Sequence, residues 1–74
     1  MDGVWVRVSN ERIELSNKMK KLDEFRRTES FSNLSEDHQR LLNKQFLAMK
    51  EYRTILDERI ALFEQESRLQ ESPV

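Results

Sequence analysis

The sequence predicts an all-α protein, an antiparallel helical hairpin that assembles into an oligomeric helical bundle. Leu41, Ala48, Ile55 and Leu62 form one column seven residues apart, and Leu42, Met49, Leu56 and Phe63 form a second beside it. All eight positions are apolar in a chain of 74 residues that is only 36% hydrophobic. On a helix these columns merge into one stripe, which Phe46, Tyr52 and Ile60 widen beyond the seam of a two-stranded coiled coil. A helix apolar over so wide an arc packs against more than one neighbour, and so short a chain does not supply enough of them. One Gly and one Pro, with 36% charged residues, suit long helices and leave few places to turn.

The first helix is expected over residues 4–27. Leu15, Met19 and Leu22 follow spacings of four and three, with Phe25 next in line. Val4 and Val8 extend that stripe. Val4, Val6 and Val8 also alternate with Trp5 and Arg7, which is a strand pattern, but a lone strand finds no partner here and an isolated pair is marginal. Helix is the better reading. Arg26 and Arg27 suit the negative end of its dipole.

Residues 28–34, Thr-Glu-Ser-Phe-Ser-Asn-Leu, form the connector. Hydroxyls and Asn are loop chemistry, while Phe31 and Leu34, three apart, fit one helical turn plugging the corner. Either form is short, so the helices run antiparallel. The second helix is expected over 35–69, with Ser35 as N-cap and Glu36 and Asp37 in the first turn. At 1.5 Å per residue it is about 50 Å long against about 36 Å for the first. Its far end, around Ile60 and Phe63, should therefore be left uncovered by its own chain. Glu51, Asp57, Glu58 and Glu64, with Lys44, Lys50 and Arg68, are read as the solvated face, and residues 70–74 as a frayed tail. The chain reads as one helical domain, 1–74.

Composition excludes several functions. With one His and no Cys there is no Cys-His dyad, no thiolate zinc site and no disulfide. A single Gly, at position 3, rules out a Gly-rich phosphate loop. No catalytic residue, metal site or cofactor is expected. No apolar run reaches membrane-spanning length and no signal-peptide pattern opens the chain. The net charge of −1 and pI near 5.8 argue against long nucleic acids, which need a basic surface. A small anion needs only two or three local cations. Residues 1–34 hold seven basic against six acidic side chains, and residues 35–74 six against eight. Trp5, the only Trp, stands near Arg7, and Lys18 precedes Met19 at the rim of the apolar stripe. An aromatic plane beside cations can stack a base and hold its phosphate. An ordinary mixed surface, with Trp5 as a hydrophobic anchor, explains the same residues.

Phe25, Phe31, Leu34, Gln39, Leu41-Leu42, Gln45, Met49, Tyr52, Ile55-Leu56 and Arg59-Ile60, preceded by Arg7-Val8, Glu11, Glu14-Leu15, Lys18 and Lys21-Leu22, resemble the signature of a large group of small phage proteins. The likeness covers residues 5–63. Characterised members are anti-CBASS sponges, which hold the cyclic nucleotide messengers of a bacterial immune system without cleaving them. The resemblance implies a helical hairpin with a short N-terminal helical segment, a homohexamer, and location in the host bacterial cytoplasm. It implies cyclic dinucleotides such as 3′,3′-cGAMP bound between the N-terminal segments of neighbouring protomers, with cyclic trinucleotides elsewhere in some members. Lys18 matches the family's phosphate-contacting lysine. Trp5 stands for its stacking aromatic, although Arg7 follows two residues later where the family usually has three. Tyr52 is expected to pack its ring in the core, and Gln39, Gln45 and Arg59 to bond across an interface. The alternative is a structural or regulatory helical oligomer that serves as a protein-interaction module.

Overall fold

The computed structural model describes residues 2–71, with side chains from residue 3 to 67. Residues 72–74 of the expected tail lie outside the described residues. Three helices follow in order: α1 (Asp2–Arg26), α2 (Glu29–Ser32) and α3 (Glu36–Glu71). Helices α1 and α3 pack antiparallel into a rod of 62 × 15 × 15 Å. The N-terminal helical segment is continuous with α1, and the strand alternative at Val4–Val8 is not taken. No internal position of that segment is Pro, so nothing breaks the ladder of backbone bonds.

The core is a single seam. Val8, Leu15 and Met19 of α1 are buried against Leu56 of α3, with Phe46, Met49, Ile60 and Phe63 packed around them. On α3 the inward positions Leu42, Phe46, Met49, Arg53, Leu56, Ile60 and Phe63 alternate steps of four and three, the spacing by which two helices interlock side chains. Leu56 is fully buried and therefore the centre of the hairpin.

Two polar contacts fix the register. Arg12 bonds Asp57, and the Nε of Arg26 donates to the Asn43 side-chain oxygen at 2.8 Å. The step from Arg12 to Arg26 is fourteen residues, as is the step from Asn43 to Asp57, so the helices run in constant register for two heptads. The Arg26 guanidinium also lies 4.5 Å from the Phe46 ring centroid. Asp57 stays exposed on the solvated face and also joins the helix–helix contact, because the antiparallel register brings Arg12 to its level.

That register corrects the expected overhang at Ile60 and Phe63, which are partly buried against the core. Helix α1 reaches them by starting at Asp2. The surplus length of α3 lies mainly at the corner, where Arg26 is level with Asn43 and the first turns of α3 lie beyond the end of α1. The connector serves those turns. Its Thr28 hydroxyl donates to the Phe25 carbonyl at 2.6 Å and accepts from the Phe31 backbone N–H at 3.2 Å, closing α1 and N-capping α2 with one side chain. Phe25 and Phe31 meet edge to face at 6.0 Å between centroids, and Phe31 is buried. Gln39 donates to the carbonyls of Ser32 and Leu34 at 3.2 and 2.9 Å. Its amide nitrogen therefore holds the corner within the chain. Ser35 caps α3, accepting from the His38 N–H at 3.3 Å.

Candidate functional site

Half of the apolar stripe is uncovered. Leu41, Ile55 and Leu62 are each more than half exposed, and Ala48 is exposed with them. Their column is displaced by one residue, about 100° of helix, from Leu42, Met49, Leu56 and Phe63. Helix α1 covers the latter column alone. Tyr52 lies on the uncovered side at 40% exposure, so its ring is outside the hairpin core where it was expected. It stands four residues from Ala48 and three from Ile55, and it follows the column that α1 does not reach.

Trp5, Arg7 and Lys18 are all exposed on α1. They do not share one face. Eleven residues separate Arg7 from Lys18, which returns the helix to within about 20° of the same direction. Trp5 points to the other side of α1, in one heptad column with Arg12, Met19 and Arg26, the edge of the seam that faces α3 and carries the Asp57 and Asn43 contacts. Along the axis Trp5 and Lys18 lie roughly 20 Å apart. One chain therefore does not close a pocket from the pair.

The opposite flank collects different groups. By the same register, Lys18 stands within one residue of the level of Tyr52 and Glu11 within one residue of the level of Arg59, across the groove between α1 and α3. Gln45 and Arg59 are exposed there, without an intrachain side-chain bond among the described residues. Sequence reading treated Tyr52 and Arg59 apart from Lys18 because they lie on different helices. Only the pairing register shows that they share a side. The signal was present in part, since Tyr52 and Arg59 are seven residues apart and so share one heptad position.

The cations divide into two groups by environment. Arg12 and Arg26 join the helices; Arg27 pairs with Asp23 at 3.0 Å and Arg40 with Asp37 at 3.6 Å. Arg7, Lys18, Lys20 and Lys21 are exposed and make no ion pair among the described residues. They leave α1 with charge available to an anion. A shallow depression on α3 is bordered by Glu36, Gln39, Arg40, Asn43, Lys44 and Leu47, but three of those polar groups already bond elsewhere in the chain. Among the described residues no cluster of acidic, His or Cys side chains is placed to hold a metal ion, and no helix is long and apolar enough to cross a membrane.

A family model described as Sequestin matches residues 3–62, from the start of α1 to the last heptad of the α3 seam. No curated protein and no solved structure matches the chain.

Proposed function

The chain belongs to the Sequestin family, and on that premise we propose that it works by binding and holding a ligand, without turnover. The ligand we propose is a cyclic oligonucleotide second messenger, a dinucleotide such as 3′,3′-cGAMP or a trinucleotide, withheld from a CBASS-type antiphage response in the cytoplasm of an infected bacterium. The observation that carries this reading is the family match across both long helices, because a name that denotes sequestration then applies to the whole hairpin. Exposed cations on α1 are chemically suited to phosphate, and an exposed indole to a base.

In this reading Trp5, Arg7 and Lys18 bind the ligand at a contact between protomers. Trp5 and Lys18 are too far apart along α1 to meet on one small molecule, so two copies of the chain contribute them. A two-fold contact offers both halves of a cyclic dinucleotide the same groups. The uncovered column of α3 supports self-association, and a homohexamer is the assembly we propose. That column also suits a protein-interaction module without a nucleotide ligand.

Isothermal titration with 3′,3′-cGAMP, with the linear dinucleotide as control, separates the two. Tight binding selective for the cyclic form, at less than one ligand per chain, supports a sponge with intersubunit sites. Absence of heat with a panel of cyclic di- and trinucleotides, from folded and ligand-free protein, supports the interaction module.

A further inference from the structure

We infer that two copies of this chain dock antiparallel along the uncovered column of α3, in the register that sets Ala48 opposite the partner's Tyr52 and Lys44 opposite the partner's Glu58. The inference rests on the self-association proposed above and names its contact. Its starting point is that α3 carries two seams of the same design. The covered seam steps by three and four through Leu42, Met49 and Leu56. The uncovered one steps in the same way through Leu41, Gln45, Ala48, Tyr52, Ile55 and Arg59 to Leu62. A seam with that spacing fits a second helix.

The occupant follows from size and charge. Parallel pairing of two copies would set Arg59 against its own equivalent and Ala48 against Ala48, combining repulsion with a gap. Antiparallel pairing removes both faults. In the register proposed, the small Ala48 faces the large Tyr52 twice, and the stem of Arg59 covers Leu41. Beside the seam, Lys44 meets Glu58 on each side of the two-fold axis. Sliding one heptad in one direction sets Glu51 against Glu58 twice; in the other Lys44 still finds an acid, Glu51, but Asp37 meets Glu58 twice and Leu62 is left unpaired. The chosen register has one like pair, Glu51 with its own equivalent, at the solvent edge of the axis. All of these side chains are exposed in the single chain, so they are free to meet a second copy.

The test is a charge-reversal cycle on Lys44→Glu and Glu58→Lys, read by analytical ultracentrifugation at low salt without ligand. Circular dichroism checks that each variant keeps its helix content. Each single reversal turns two attractive pairs into two repulsive ones and should raise the concentration for half-association about tenfold. The double variant, with both signs exchanged, should return to near the wild-type value. Single variants that assemble like the wild type overturn the register, as does a double variant weaker than either single. A wild-type chain that sediments as a monomer overturns self-association itself, which keeps the two failures distinct.

Discussion

Ile55 and Leu56 are consecutive and of equal size, yet Leu56 is 0% exposed and Ile55 52% exposed. One residue of helix separates the closed side of the hairpin from its open side. Leu56 packs with Val8, Leu15 and Met19 of α1, and Ile55 stays more than half exposed. The difference divides the two apolar columns by role: one holds the hairpin together and the other is left for a neighbour.

Leu56→Ala should destabilise the hairpin by about 2–5 kcal/mol, the range for a cavity in a packed core. Ile55→Ala should change unfolding of the isolated chain by less than about 0.5 kcal/mol, as expected of an exposed position, and should instead weaken self-association. Urea unfolding across a range of protein concentrations distinguishes these outcomes. Equal losses at the lowest concentration would contradict the separation of the columns.

The Arg12–Asp57 pair orients α1 more than it stabilises it. Their side chains are 40% and 47% exposed, so water screens the attraction. A double-mutant cycle with Arg12→Ala and Asp57→Ala should give a coupling below about 1 kcal/mol that shrinks in salt. A coupling of several kcal/mol that persists at high salt would contradict this.

Thr28→Val should cost about 1 kcal/mol by removing the hydroxyl that closes α1 and caps α2. Thr28→Ser retains both bonds and should stay within a few tenths of wild type. Hydrogen exchange at the Phe31 amide gives the local readout: it should speed up in the Val variant alone.

Arg26→Ala should destabilise more than Arg27→Ala. Arg26 bridges to Asn43 and covers the Phe46 ring, whereas Arg27, just past the end of α1 and with its side chain 78% exposed, pairs only with Asp23 in the last turns of α1. We expect a difference of about 1–2 kcal/mol in thermal or urea unfolding. Equal effects would mean that Arg26 contributes nothing beyond a surface charge.

For the proposed ligand site, Lys18→Ala should weaken binding of 3′,3′-cGAMP about tenfold, the order of one charge-assisted hydrogen bond, without changing the sedimentation of the free protein. Trp5→Ala should also weaken binding, by a comparable amount if the indole stacks on a base. Titration calorimetry on folded variants checks both. Undiminished binding by Lys18→Ala would remove Lys18 from the site.

The candidate site was only partly legible before the fold was known. Lys18, Trp5 and Arg7 are notable in sequence because a lone indole and cations near an apolar rim are local features. Their directions are not. Arg7 and Lys18 share a side of α1 that Trp5 does not, and Lys18 stands within one residue of the level of Tyr52, which belongs to the helix after the connector. Asp57 was equally ambiguous: in sequence it is one more acid among surface charges, and only Arg12 on the other helix gives it a role.

By itself the sequence determined the two long helices and the place of the corner between them, while the helical turn α2 inside the corner was left open. Helical periodicity, the Ser35 cap and the hydroxyl-rich connector act within a few residues, and local geometry is what fixes helix starts, stops and turns. Tertiary structure decided which apolar column is core. The columns through Leu41 and Leu42 are equivalent by pattern, and no local rule distinguishes two neighbouring stripes on one helix. The choice follows from the register of α1 against α3, through contacts between residues 45 and 17 apart in the chain. Because that register brings α1 level with Ile60 and Phe63, the surface left for a neighbour is the long side of α3 and not its far end.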